Sequence, residues 1–162
     1  MADRLFLDAN VLFSAAYGSP SIERLWDAQR AGSCTLLVSR YVIEEARRNL
    51  REPEQIRRLD TRLQSALVVP ESPADRCPVD LPDKDRPVFS AAAAAGATHL
   101  ITGDRTHFGA YYGSTVAGLT ILRPSDYLRA APAPQRELAA LDAHAEELNR
   151  EAREVLEYQD DS

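Results

Sequence analysis

The feature that most constrains the fold is a series of short, continuously apolar runs that alternate with helical segments. Five runs predict strands, at residues 4–7, 35–38, 67–69, 99–102 and 120–122. Helices are predicted between them, at residues 10–16, 21–31, 40–51, 53–66 and 85–96. Strands that are apolar throughout, rather than at every second residue, indicate a parallel sheet that is buried on both faces. The sequence therefore predicts an α/β fold with helices on both sides of a central, mostly parallel sheet.

The chain is long enough for one domain, and its sequence pattern indicates an additional C-terminal region. Its 162 residues are 44% hydrophobic and 27% charged, which is typical of a soluble protein with a sizeable core. Residues 1–130 are predicted to form the domain, and residues 131–162 a linker and an extra C-terminal helix with one apolar stripe. That stripe could dock on its own domain, or form a homodimer or partner contact, or belong to a free tail.

Charge and hydropathy exclude some classes of function. The net charge of −6 argues against a general nucleic-acid coat, which would be basic, but not against an enzyme that cuts nucleic acid. No apolar run approaches the roughly 20 residues that span a bilayer, so no membrane association is expected. The first strand begins too early for a signal peptide, and Cys34 and Cys77 form no disulfide or metal motif. A cytoplasmic protein with reduced thiols is therefore expected.

Four acidic residues lie where predicted strands end or where polar helix faces begin, namely Asp8, Glu45, Asp85 and Asp104. Ligands of parallel sheets bind at the carboxyl ends of the strands, where Asp8 and Asp104 are expected. Carboxylates that converge there repel one another unless a cation compensates, and Mg²⁺ prefers oxygen ligands. The joint pattern thus predicts an acidic, metal-dependent site.

Each of these acids also has a simpler explanation when taken alone. Asp8 could cap the next helix, and Asp85 could favour a helix N-terminus through the helix dipole. Glu45 could belong to a solvated helix face, and Asp104 could shape a turn. Only the four together favour a site that holds divalent ions for phosphodiester hydrolysis, in which Asn10 and Thr102 could hydrogen-bond the carboxylates.

The chain resembles the PIN-domain family over roughly residues 3–129. The matching stretches are FLDANVL at residues 6–12, SRYVIEEA at 39–46, KDRPV at 84–88, GATHLITGD at 96–104 and ILRPSDYL at 121–128. The resemblance implies a PIN-like α/β/α sandwich and an Mg²⁺- or Mn²⁺-dependent ribonuclease, often the toxin of a bacterial toxin–antitoxin pair. It also implies RNA as the substrate, an antitoxin as a partner, and Asp8, Glu45, Asp85 and Asp104 as the metal-site acids.

Two positions need a choice within this resemblance. Glu45 is preferred to its neighbour Glu44 because Ala46 and Leu50 then follow as in the family. Many relatives carry another acid where this chain has His107. The His107 side chain could contact phosphate or a second metal ion, or it could be a histidine of a surface loop.

Basic residues are concentrated between residues 40 and 58, near the predicted site. Arginine presents a planar fork that suits phosphate and carboxylate groups. These side chains could position RNA phosphates, bind an acidic antitoxin segment, or form a solvated face. They are Arg40, Arg47, Arg48, Arg51, Arg57 and Arg58.

Other classes of protein fit the sequence less well but remain open. A haloacid-dehalogenase-like phosphatase would carry a second aspartate two residues after the first, where this chain has Asn10. A receiver domain needs a lysine at a late strand end, whereas the one lysine, Lys84, precedes a helix. A non-catalytic PIN-like interaction module is the main alternative from a different class.

Overall fold

A computed structural model describes residues 2–73 and 77–130. The strands are β1 (Asp3–Leu7), β2 (Cys34–Ser39), β3 (Leu67–Val69), β4 (His99–Ile101), β5 (Thr115–Val116) and β6 (Leu119–Leu122). They form one sheet in the order β3-β2-β1-β4-β6-β5. All neighbouring strands run parallel except β5, which is antiparallel to β6. The α/β fold with a mostly parallel sheet is thus confirmed.

Helices connect the parallel strands. They are α1 (Ala9–Ala16), α2 (Pro20–Arg30), α3 (Arg40–Arg48), α4 (Pro53–Leu63), α5 (Arg86–Ala94), α6 (Arg105–Phe108) and α7 (Pro124–Ala130), with a 3-10 helix at Gly109–Tyr111. Helix α1 packs against α3 and α4, whereas α2 packs against β2 and α7. No helix within the described ranges is long and apolar enough to cross a bilayer. The predicted C-terminal helix, in residues 131–162, lies outside the described residues.

The core explains why the central strands are apolar throughout. Leu5, Phe6 and Leu7 follow one another along β1, and each is fully buried. Because successive side chains of a strand point to opposite faces of the sheet, both faces must be covered. This is the arrangement of an α/β/α sandwich.

Hydroxyl caps set the starts of two helices. The Ser19 hydroxyl accepts a hydrogen bond from the backbone N–H of Ile22, at the start of α2. At the end of β2, the Ser39 hydroxyl accepts one from Val42 and begins α3. Each cap satisfies a backbone donor that has no partner within its helix. The chain therefore turns sharply from strand β2 into the helix that carries Glu45.

Two short elements late in the described part of the chain, a strand and a helix, are absent from the prediction. Strand β5 was not predicted, because two residues carry too little periodicity to indicate a strand. It pairs with β6 through a tight turn in which Ala117 and Gly118 both have positive φ, 52° and 77°. Such turns suit the right-handed twist of a hairpin. The sequence predicts no helix at Arg105–Phe108 either, and this helix, α6, places His107 at the candidate site.

Candidate metal centre

The carboxyl ends of two neighbouring strands bring two of the predicted acids to one edge of the sheet. Strands β1 and β4 pair in parallel, with Leu7 beside Ile101. Asp8 directly follows β1 and caps α1, since its Oδ1 accepts a 2.8 Å hydrogen bond from the backbone N–H of Ala9. Asp104 lies three residues beyond the end of β4 and caps α6. Both carboxylates are buried, with 4% and 8% of their residues' surface exposed.

A hydrogen-bonded network joins these two acids. The hydroxyl of the fully buried Thr102 donates to Oδ2 of Asp8 over 2.8 Å and accepts from the backbone N–H of Asp104 over 3.1 Å. The Asn10 amide donates to the Thr102 hydroxyl over 3.3 Å, and its oxygen accepts from the Gly103 N–H over 3.0 Å. The network therefore orients the Asp8 carboxylate and holds the turn that presents Asp104.

Asp85 lies at the N-terminus of α5, but its carboxylate makes no capping hydrogen bond there. The residue is only 7% exposed. Its Oδ2 is buried without a hydrogen-bond partner among the described residues. A buried carboxylate oxygen without a hydrogen bond is costly, so this atom is suited to bind a cation.

His107 occupies the space between Asp85 and Asp104. Its Nδ1 lies 2.8 Å from Oδ2 of Asp85 and 2.8 Å from Oδ2 of Asp104. Like Oδ2 of Asp85, Nδ1 of His107 is buried and has no hydrogen-bond partner within the described ranges. One donor atom from each of the three residues lies within 4.8 Å of the other two. His107 is thus part of a short helix at the acidic cluster rather than of a surface loop.

Helix α3 distinguishes the two adjacent glutamates. Glu44 is exposed, whereas Glu45 is half-buried and its charge raises the pKa of both Asp8 and Asp85. Successive residues of a helix point about 100° apart, so only one of the two can face the sheet edge. The structure directs Glu45, and not Glu44, towards the other acids.

The electrostatics reflect the crowding of four carboxyl groups. Burial, and then the charges of Glu45 and Asp85, raise the pKa of Asp8 to about 7, against the lowering effect of the hydrogen bonds from Thr102 and Ala9. Burial also raises the pKa of Asp85 to about 6, with a further contribution from Asp104, while His107 opposes the shift. The pKa of Glu45 is raised as well, mainly by burial. A bound cation would offset all of these costs.

Three residues at this edge were not identified from the sequence. The Tyr41 hydroxyl donates a 2.6 Å hydrogen bond to the carbonyl of Lys84, whose ammonium lowers the pKa of Glu45 and Asp85. The Tyr112 hydroxyl donates to the carbonyl of Thr102 over 3.0 Å. Tyr41 precedes Glu45 by one helical turn, which is a usable signal, and Lys84 adjoins Asp85. No sequence signal connects Tyr112 to residues ten positions earlier.

Two of the six predicted basic residues are engaged within the domain. Arg47 pairs with Asp60 over 2.7 Å. Arg58 donates a 2.7 Å hydrogen bond to the carbonyl of Ala16 and pairs with Glu54. Arg48 lies nearer the acids, since its charge lowers the pKa of Glu45. The side chains of Arg40, Arg51 and Arg57 are exposed.

Comparison with known families identifies the domain. Residues 4–106, well over half of the chain, match the PIN domain. The chain belongs to the PIN-domain family. The matched region of this PIN domain contains all four predicted acids, Asp8, Glu45, Asp85 and Asp104, whereas His107 lies just beyond it.

A solved structure has the same fold. It is a chain of the crystal structure of VapBC2 from Rickettsia felis bound to a DNA fragment from their promoter, with a TM-score of 0.55 and 16% sequence identity. The alignment covers 74% of this PIN-domain chain and 98% of that chain. No curated protein sequence matches the chain.

Proposed function

We propose that this PIN-domain protein is a metal-dependent ribonuclease that hydrolyses RNA phosphodiester bonds. The observation that carries the proposal is the electrostatic coupling of Asp8, Glu45, Asp85 and Asp104 at one edge of the sheet: Glu45 and Asp85 raise the pKa of Asp8, and Asp104 raises the pKa of Glu45 and Asp85. Membership of the PIN-domain family supports it further. The same four residues are the proposed metal ligands, for Mg²⁺ or Mn²⁺.

The donor set of the site fits such an ion. Carboxylate oxygens are the ligands that Mg²⁺ and Mn²⁺ prefer, and Oδ2 of Asp85, which has no hydrogen bond among the described residues, is one that a cation would satisfy. Bound there, a divalent ion would supply Lewis-acid stabilisation of the phosphoryl oxygens and a water of lowered pKa.

The remaining polar residues have supporting roles in this proposal. The Thr102 hydroxyl and the Asn10 amide hold Asp8 in one orientation through contacts of 2.8 and 3.5 Å to its Oδ2. Lys84 and Arg48 carry positive charge close to Glu45 and would position the phosphates of the substrate. Single-stranded RNA is the expected form, because its backbone enters a recessed site more readily than an A-form duplex does.

The direct test is cleavage of labelled single-stranded RNA by the purified chain, with Mg²⁺ or Mn²⁺ and with EDTA. Cleavage that needs the metal and disappears in Asp8→Asn is the expected result. Activity that survives both chelation and Asp8→Asn would point to a contaminant or to another mechanism. A folded, metal-binding chain that cleaves no RNA would favour the non-catalytic interaction module.

The biological setting that we propose is a cytoplasmic toxin controlled by an antitoxin. The likeness of the fold to a chain of VapBC2 supports this setting. The exposed Arg40, Arg51 and Arg57 would receive an acidic segment of the partner. An adjacent reading frame whose product binds the chain and suppresses its cleavage of RNA is the expected finding. A product that binds without any effect on cleavage would argue against an antitoxin.

A further inference from the structure

The position of His107 distinguishes this site from one built of carboxylates alone. The imidazole Nδ1 lies at the same distance, 2.8 Å, from one oxygen of Asp85 and one of Asp104. Adjacent ligands of an octahedral ion with bonds of about 2.1 Å are about 3 Å apart. The spacing of the nitrogen from each oxygen is therefore that of ligands around a common cation.

Local structure holds these atoms in place. Oδ1 of Asp104 accepts a 3.1 Å hydrogen bond from the backbone N–H of His107, which leaves Oδ2 of Asp104 directed at the imidazole. The capped turn thereby fixes the distance between the ring and the carboxylate. Asp85 approaches from a different helix, so three donor atoms from two separate segments of the chain meet at one point.

The hydrogen bonding provides an independent indication of a ligand. Oδ2 of Asp85 and Nδ1 of His107 are both buried, and neither has a hydrogen-bond partner among the described residues, although the two atoms are 2.8 Å apart. Asp85 is more than nine-tenths buried, with 7% of its surface exposed. Two adjacent polar atoms without hydrogen bonds in a buried position are expected where both contact the same cation.

From this geometry we infer that Nδ1 of His107 is a metal ligand, and that it makes the site selective for a first-row transition-metal dication over Mg²⁺. Mg²⁺ binds oxygen ligands and retains its waters, whereas transition-metal ions accept imidazole nitrogen. The inference rests on the proposed metal site and specifies its chemistry. Mn²⁺ is the suitable probe because it is paramagnetic.

The experiment uses the full chain, stripped of metal with EDTA and reloaded with Mn²⁺. Pulsed electron paramagnetic resonance detects a ¹⁴N nucleus bonded to Mn²⁺, and competition with Mg²⁺ gives the ratio of the two affinities. In His107→Asp a carboxylate replaces the imidazole, so that the site offers oxygen ligands alone. His99→Gln is the matched control, because His99 is half-buried at the other end of β4, where its Nδ1 contacts the Thr98 hydroxyl.

We expect ¹⁴N coupling in the unaltered chain and in His99→Gln, and its loss in His107→Asp. The preference for Mn²⁺ over Mg²⁺ should fall about tenfold or more in His107→Asp. Bound Mn²⁺ without nitrogen coupling in the unaltered chain would overturn the inference, even if His107→Asp failed to fold.

Parallel RNA cleavage separates this inference from the proposed function. Cleavage without nitrogen coupling would overturn only the role of His107. Nitrogen coupling without cleavage would overturn only the ribonuclease. A chain that binds no Mn²⁺ would overturn the metal site itself, and with it both proposals.

Discussion

The hydroxyl of Thr102 donates a 2.8 Å hydrogen bond to Oδ2 of Asp8, a residue 94 positions earlier in the chain. The contact is possible because β1 and β4 are neighbours in the sheet, so the residues that follow their carboxyl ends meet. It places a buried carboxylate in one orientation, which is what a preformed metal site requires.

Thr102→Val should therefore weaken metal binding while it preserves the shape of the buried side chain. Loss of the hydroxyl removes a donor to Asp8 and an acceptor for the Asp104 backbone N–H. We expect the affinity for Mn²⁺ to fall about tenfold by calorimetry, as is common when a group that orients a ligand is removed. Thr102→Ser retains the hydroxyl and should bind normally. Equal affinities in all three proteins would show that the hydroxyl does not orient Asp8 for metal.

The raised pKa values predict how the metal-free protein responds to pH. Asp8 has a pKa of about 7 in the folded chain against an ordinary value of 3.8, so the folded state holds its proton more tightly than the unfolded state does. The stabilising contribution of Asp8 is then fully present below its ordinary pKa and is lost as the pH rises through the folded value. Between pH 5 and 8, Asp8 alone should account for a loss of about 2.5 kcal/mol.

The measurement is urea unfolding in EDTA at several pH values. Asp8→Asn should lose much less stability over the same range, with the remaining fall coming from Asp85, whose pKa is about 6. Added Mn²⁺ should restore the stability of the unaltered chain at pH 8. If the unaltered chain and Asp8→Asn, both free of metal, became more stable from pH 5 to 8 by the same amount, the raised pKa of Asp8 would be contradicted.

Glu44 and Glu45 allow a test in which two adjacent residues of one type receive the same substitution. Glu45 is half-buried and electrostatically coupled to Asp8, whereas Glu44 is exposed. Glu45→Gln should reduce the rate of RNA cleavage by about a hundredfold or more, since it removes a carboxylate ligand of the proposed divalent ion. Glu44→Gln should cleave at the normal rate. Slow cleavage by Glu44→Gln and normal cleavage by Glu45→Gln would instead assign Glu44 to the site.

Self-association is the remaining prediction, and it concerns residues 131–162. Their apolar residues recur every three or four positions, so a helix there would have a stripe that needs a surface to cover it. We expect a homodimer in solution, and a monomer after deletion of residues 135–162. Analytical ultracentrifugation of both proteins gives the masses. A monomer before and after deletion would exclude the dimer and leave docking on the same chain.

The sequence by itself predicted the main alternation of strands and helices, without β5 and α6, and it indicated which acids would follow the ends of the strands. Continuous burial of Leu5, Phe6 and Leu7 requires apolar side chains on both faces of β1, so the pattern that predicts a parallel sheet is visible without a structure. The ends of such strands then determine where Asp8 and Asp104 lie, because polar residues must follow where the buried run ends.

Tertiary structure alone decided how the side chains meet. The place of His107 between Asp85 and Asp104 depends on the packing of α5 beside the β4–α6 turn, and no local pattern encodes that distance. The contact of Tyr112 with the Thr102 carbonyl likewise depends on the path of the chain after α6. Local periodicity reports which residues are buried, whereas the direction of each side chain depends on contacts between segments that are distant in the sequence.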